Sequence, residues 1–126
     1  MVDFEINEGL GKTNVTLSIV YMGNDIVVTI FNENAHIGAV ALAEYSFNEQ
    51  RTSVSVVTRL GHKDDVIAQK TAHAITKETK KPSCVISGIH VDEINESEIL
   101  EIEHNSDILI SRLMEFLTDE KPLIGK

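Results

Sequence analysis

A chain of 126 residues with 42% hydrophobic and 25% charged residues is long enough for one domain with a buried core. Its formal net charge of -9 argues against sequence-independent binding of nucleic acid and against docking on anionic membranes, because both depend on Lys and Arg. The single Cys, the acidic N-terminus without a signal-peptide pattern and the lack of a long apolar run predict a cytoplasmic protein that needs no disulfide and spans no membrane.

Alternating apolar residues predict five strands in the first half of the chain. Val15, Leu17 and Ile19 alternate with polar residues, as in a half-buried strand, and Gly23-Asn24 suits a two-residue hairpin loop. Small residues between positions 38 and 43 would let another backbone or a helix approach closely. The predicted strands cover residues 2–7, 13–22, 25–31, 36–45 and 52–60.

A helix and a sixth strand follow these five strands. The helix is predicted from about Asp64 to Lys80, because Asp64 and Asp65 suit its positive N-terminus and Pro82 blocks its continuation. The sixth strand is predicted from Ser83 to His90.

A second helix is predicted after Asn95, since Asn95 and Glu98 have the spacing of a capping box. It continues to about Thr118, with a kink or restart at the weak helix formers of residues 104–106. One domain therefore covers residues 1–120, followed by a loose tail at 121–126. The acids that lead into this helix predict a solvated face or a docking surface for a basic partner; they are Asp92, Glu93, Glu96, Glu98, Glu101 and Glu103.

The order of elements predicts an α/β (α+β) fold. Short links make the first five strands an antiparallel meander, and a right-handed helix crossover makes strand six parallel to strand five. Both helices would then cover one face of the sheet. Strands three, four and six are apolar on both faces, which predicts a homo-oligomer packed through the second face.

The segment Arg59 to Asp65 is the corner between the last strand of the meander and the first helix. Counting strand directions places this corner at the same sheet edge as the start of strand four, the end of strand six and the Gly9-Leu10-Gly11 turn. If the hairpin is symmetric about Glu49, residues 36 and 62 face each other across neighbouring strands. The side chains expected to converge at this edge are His36, His62 and His90, with Asn34, Lys63, Asp64 and Asp92.

Three kinds of site are compatible with this edge. Free N–H groups at the helix start, with His62 and Lys63, would hold an anion such as a phosphate, unless His62 or Asp64 only caps the helix. His36, His62 and His90 would bind a metal ion, although their spacing matches no compact metal motif. A His would act as a general acid or base, but Ser87 and Cys84 lie within a strand without a base fixed beside them.

Three segments together resemble a known family: Ala35-His36-Ile37-Gly38-Ala39-Val40-Ala41, Leu60-Gly61-His62-Lys63-Asp64-Asp65 and Ser87-Gly88-Ile89-His90-Val91-Asp92-Glu93-Ile94. They look like small archaeal and bacterial proteins related to the D subunit of gallate-type decarboxylases, a prenylated-flavin chaperone-like family. That family is similar in fold to small proteasome assembly chaperones. The positions taken from this resemblance and from the shared edge as candidate ligand- or anion-binding residues are His36, Gly61, His62, Lys63, Asp64, Gly88, His90 and Asp92.

The resemblance implies a non-catalytic assembly or maturation factor in the cytoplasm. Its client would be a prenylated-flavin decarboxylase or the proteasome. Prenylated FMN is the one cofactor that the resemblance suggests. The alternative is a protein or enzyme that uses the histidine edge to bind a small anion or a metal. A third alternative is a purely structural oligomer. No catalytic or metal-binding residue is assigned from the sequence.

Overall fold

The computed structural model describes residues 2–59 and 64–124. It contains six strands, two α-helices and one short 3-10 turn at Gly11–Thr13. The strands are β1 (Phe4–Glu8), β2 (Val15–Met22), β3 (Asp25–Phe31), β4 (Ala39–Ser46), β5 (Arg51–Thr58) and β6 (Ser83–Gly88). The helices are α1 (Asp65–Thr79), which joins β5 to β6, and α2 (Glu96–Ile124).

All six strands form one mixed sheet in the order β1-β2-β3-β6-β4-β5. The predicted α+β class is confirmed, but the predicted continuous meander is wrong at one connection, because β6 lies between β3 and β4. It runs parallel to β3 and antiparallel to β4. The link at residues 32–38 is long enough to pass over this strand, and Cys84, Val85 and Ile86 are better buried at the sheet centre than at an edge.

One face of the sheet is covered by both helices, as predicted. Helix α1 packs on β4, β5 and β6, and α2 packs on β1 and β2. The small residues Ala39, Ala41 and Ala43 are fully buried on β4, so α1 lies close to the sheet there. Larger buried residues fill the core between β2 and α2. They include Val15, Leu17 and Ile19 on the strand and Leu109 and Leu113 on the helix.

The other face of the sheet carries apolar residues that none of the described helices covers. Leu42 is opposite Cys84, which is opposite Val27, which in turn is opposite Val20. A second row runs from Val57 through Val40 to Ile86. Leu42 and Val57 have 56% and 71% of their surface exposed. We call these seven residues the open sheet face; they are Val20, Val27, Val40, Leu42, Val57, Cys84 and Ile86.

Helix α2 begins with the predicted capping box. The Glu98 N–H donates to Asn95 Oδ1 at 2.8 Å, and the Asn95 N–H donates to Glu98 Oε1 at 3.0 Å. This bond from the Asn95 backbone lowers the pKa of the Glu98 carboxyl below its ordinary value. The carboxylate therefore supports the helix start at neutral pH, and this support is lost as the pH falls through the lowered pKa.

Helix α2 is continuous through residues 104–106, where the sequence predicts a kink or restart. The two polar residues there are buried but bonded. Asn105 Nδ2 donates to the Thr13 carbonyl at 3.0 Å, and Ser106 Oγ donates to the Ile102 carbonyl at 2.8 Å. Because a tertiary hydrogen bond satisfies Asn105 and a bond within the helix satisfies Ser106, their weak helix propensity does not break the helix. The helix also extends past Thr118 to Ile124, into the segment predicted to be a loose tail.

We expect Asn95→Ala to lower the free energy of unfolding by about 1 kcal/mol, because it removes the side chain that caps α2. Urea denaturation followed by circular dichroism measures this difference. Asn95→Asp is the matched control and should unfold like the wild type, since Asp is an equally good N-cap residue. Equal losses in both variants would contradict a capping role for this side chain.

Candidate functional site

The strand directions bring the ends of two strands and the start of a third together at one edge of the sheet, as the sequence predicts. Strands β3 and β6 end there and β4 begins there, so we call it the top edge. His36 lies in the link before β4, and His90 lies just after β6. Their imidazole rings are 5.1 Å apart between centroids. The predicted convergence of these two histidines is therefore observed, whereas Gly61, His62 and Lys63 lie outside the described residues.

The β4–β5 hairpin is offset by one residue from the expected register. Symmetry about Glu49 would place Ala39 opposite Arg59, but Ala39 is opposite Thr58. The strands end at Ser46 and resume at Arg51, so an even number of loop residues centres the hairpin between positions 48 and 49. The predicted pairing of residues 36 and 62 itself falls partly outside the described residues.

Asp64 links the start of α1 to the end of β6. Its side chain is 7% exposed, and Oδ1 accepts a hydrogen bond from the Ile89 N–H at 3.2 Å and from Ser87 Oγ at 3.3 Å. Asp64 occupies the N-cap position, but its side chain makes no capping hydrogen bond to α1. A buried carboxylate is more stable when it accepts such bonds, which explains why it turns toward the strand end. The alternative in which His62 caps the helix lies outside the described residues.

Two glycines let three chain segments meet at the top edge. A Cβ atom on Gly38 would overlap the Asp64 carboxylate, and a Cβ atom on Gly88 would overlap the carbonyl oxygen of His36. The Gly38 N–H also donates to the Ser87 carbonyl at 2.9 Å. Both glycines are therefore steric requirements of the packing at this edge.

Asn32 is not among the residues that the sequence singles out, yet it fixes the position of His90. Its Nδ2 donates to the His90 carbonyl at 2.7 Å, and the His90 N–H donates to Asn32 Oδ1 at 3.0 Å. Asn32 is only 8% exposed. An Asn directly after an apolar strand is the only sequence signal of this role. The His90 ring in turn lies 3.0 Å from Asp92, measured from Nε2 to Oδ1, with both side chains at the surface.

An open cleft of about 670 Å³ lies between the start of α1, the loop after β6 and the first turns of α2. Its polar lining is formed by His36, Asp64, His90 and Glu103. The rest of the lining is aliphatic and consists of Ile67, Ile89, Val91, Ile94, Ile99 and Ile102. We call this the α1–α2 cleft. It is suited to an apolar group that carries a polar or charged edge.

The described residues bring neither a set of three metal ligands nor a hydroxyl or thiol nucleophile into this cleft. Within residues 2–59 and 64–124, no three His, Cys, Asp or Glu side chains are placed to share a metal ion. The combination of His36 and His90 with His62 falls outside these ranges. Ser87 is buried against Asp64, and Cys84 lies on the open sheet face, where burial raises the pKa of its thiol. The described groups in the cleft that could transfer a proton are the imidazoles of His36 and His90 and the carboxyls of Asp64 and Glu103.

We expect Gly38→Ala to lower the free energy of unfolding by about 1–3 kcal/mol, because its methyl group displaces the Asp64 carboxylate. The measurement is urea denaturation of Gly38→Ala, Asp64→Ala and the double variant. Since Asp64→Ala removes the overlapping atoms, Gly38→Ala should cost less in that background. Strictly additive losses would show that the two residues do not depend on each other.

No described helix is long and apolar enough to cross a membrane. No curated protein matches this sequence. A solved structure, described as a novel chaperone complex for yeast 20S proteasome assembly, contains a chain that matches with a TM-score of 0.58 and 13% identity. The match covers 93% of this chain and 96% of that chain, and at this identity it establishes a shared fold. Residues 9–118 match the family model of the prenylated flavin chaperone LpdD-like domain, as the resemblance predicted. The chain therefore belongs to the prenylated flavin chaperone LpdD-like family.

Proposed function

We propose that this chain is a non-catalytic assembly chaperone, which acts by binding other protein chains rather than by transforming a substrate. The observation that carries the proposal is the family match over residues 9–118, which includes the top edge, most of α2 and the whole open sheet face. The described part of the α1–α2 cleft agrees with this role, since neither Ser87 nor Cys84 offers a nucleophile to it. The open sheet face and the aliphatic lining of the α1–α2 cleft are both suited to protein contacts.

We propose that the client is a cytoplasmic decarboxylase that depends on prenylated flavin. The family name supports this client, because it describes a prenylated flavin chaperone. Proteasome assembly is the second possibility, and it is supported by the structural neighbour, which is part of a chaperone complex for yeast 20S proteasome assembly. The decarboxylase is preferred because the family model covers most of this chain, whereas 13% identity to the proteasome-related chain supports the fold alone.

The decisive experiment for the function is to produce a candidate decarboxylase with and without this chain in the same cells. We expect the chain to raise the fraction of decarboxylase that contains prenylated flavin, measured from the flavin absorbance of the purified enzyme. Adding this chain after the decarboxylase has been purified with its cofactor should not change the rate of decarboxylation, because the chaperone takes no part in the chemistry. Equal cofactor content in both preparations would refute this client.

Self-association through the open sheet face is the second part of the proposal. Its two rows extend over β2, β3, β4, β5 and β6, and seven of their ten positions are apolar; the other three are Ser18, Thr29 and Ser55. Monomeric proteins rarely leave such a continuous apolar surface in water. A pair of these faces stacked against each other would bury the exposed surfaces of Leu42 and Val57. A homodimer closed by a twofold axis is the simplest such assembly.

We expect Leu42→Glu to convert the dimer into a monomer, because the interface would have to bury a charge without a partner. Sedimentation velocity measures the change in mass. Leu10→Glu is the matched control, since Leu10 is also an exposed Leu but lies in the turn after β1, away from this face. A wild-type protein that sediments as a monomer, or a Leu42→Glu variant that remains dimeric, would rule out this interface.

Direct handling of prenylated FMN by the α1–α2 cleft is the alternative function. The aliphatic lining favours it, since the prenyl-derived part of the cofactor is apolar. Two features weigh against tight binding. The described lining contains neither Lys nor Arg for the phosphate, and the imidazoles of His36 and His90 are its only aromatic rings for stacking. Titration of the protein with FMN, followed by flavin fluorescence, distinguishes this alternative from a purely protein-binding role.

A further inference from the structure

We infer that the α1–α2 cleft is the site where a basic, amphipathic segment of the client protein binds. The inference rests on the proposed chaperone function, because it supplies the contact through which a client would be held. The open sheet face and this cleft lie on opposite sides of the sheet, since α1 and α2 both pack on the face away from Leu42. The chain could therefore bind a second copy and a client at the same time.

The cleft has the size and lining of a receptor for large apolar side chains. Its volume of about 670 Å³ exceeds what a single side chain fills, and six aliphatic residues form most of its wall. Ile99 is 42% exposed although it faces this cleft. An aliphatic wall that remains open to solvent gains stability when an apolar partner covers it.

The charge around the cleft decides which partner fits. The segment from Pro82 to Ser111 contains seven acidic residues and neither Lys nor Arg. Glu96, Ile99 and Glu103 are spaced by three and four residues on α2, so they share one side of the helix. The apolar wall is thus bordered by carboxylates on the same helix face.

Some of these carboxylates are available to a partner. Glu98 pairs with Lys12 at 3.1 Å, and Asp107 pairs with Lys70 at 2.7 Å, so those two charges are already compensated. Glu93, Glu96 and Glu103 make no ion pair with any described residue. Lys or Arg side chains next to the apolar anchors of a client segment would pair with them.

The same charges disfavour the other occupants. Two copies of this chain that met through their clefts would bring the carboxylates of this acidic segment against each other. The phosphate of a flavin nucleotide would lie near Glu103 and Asp64. A segment with Leu or Ile at helical spacing and Lys or Arg between them complements both the wall and its border.

The test uses the full chain and a synthetic amphipathic peptide with Leu at helical spacing and Lys at the other positions. A peptide with Glu in place of Lys is the control. With the Ile methyl groups labelled for NMR, the Lys peptide should shift the signals of Ile94, Ile99 and Ile102 and leave the core residue Ile19 unchanged. The Glu peptide should shift none of them. Shifts that are absent, or equal for both peptides, would overturn the inference.

Matched variants test the two components of the site separately. Ile99→Ser should weaken binding of the Lys peptide about tenfold, whereas Leu100→Ser, at the neighbouring exposed position outside the cleft, should not. Glu103→Lys should weaken binding and flatten its dependence on salt, whereas Glu115→Lys, farther along α2, should have little effect. Fluorescence anisotropy of a labelled peptide measures each affinity, and thermal melting confirms that the variants are folded. Wild-type affinity in Ile99→Ser and Glu103→Lys would overturn the inference.

Failure of this site can be distinguished from failure of the chaperone function. If Ile99→Ser raises the cofactor content of the decarboxylase as well as the wild type does, the function stands and the cleft is not the client site. If the wild type itself has no effect, the proposed client is wrong. If FMN shifts the cleft methyl signals and the Lys peptide does not, the cleft is a cofactor site and the inference is refuted.

Discussion

The position of β6 between β3 and β4 is the constraint on which the rest of the structure depends. This strand carries Val85 toward the helices and Cys84 and Ile86 toward the open sheet face, and Ser83 and Ser87 on its helix side are hydrogen-bonded, so burial favours the centre of the sheet. Its insertion brings the end of β3, the end of β6 and the start of β4 side by side. The link before β4 must then pass over Gly88, and the loop after β6 is held by Asn32. The close approach of these segments at the top edge follows from this pairing.

A second consequence of this arrangement is the separation of two apolar surfaces. The helices cover one face. The α1–α2 cleft lies on that side, between the start of α1 and the first turns of α2. The opposite face remains largely apolar because seven of the ten positions in its two rows are Val, Leu, Ile or Cys. These are the two surfaces that we propose for self-association and for binding of a client. The buried Asp64 carboxylate keeps the first surface in place, since it ties α1 to the end of β6.

The described residues of the top edge are held in place by packing and hydrogen bonds. The glycines are required for packing, Ser87 is bonded to Asp64, and Cys84 faces away from the cleft with a thiol whose pKa is raised by burial. The histidines that come together are His36 and His90, and the exposed ring of His90 is paired with Asp92. These contacts fix the geometry of the cleft wall. The affinity of the cleft for a partner would then come from the aliphatic residues and from the carboxylates around them.

Local patterns in the sequence determined the elements, the capping box of α2 and the shared edge of His36 and His90. These features depend on periodicities of two and 3.6 residues, on caps and on strand direction, all of which act over short distances along the chain. Only the tertiary structure decided the place of β6, the partners of Asp64 and the unbroken course of α2 past Asn105. Each of these depends on which distant surfaces meet. β6 could have paired with either neighbour by its own pattern, and a carboxylate at a helix start could have capped that helix. Long-range packing selected the arrangement in which the most buried polar groups have hydrogen-bond partners.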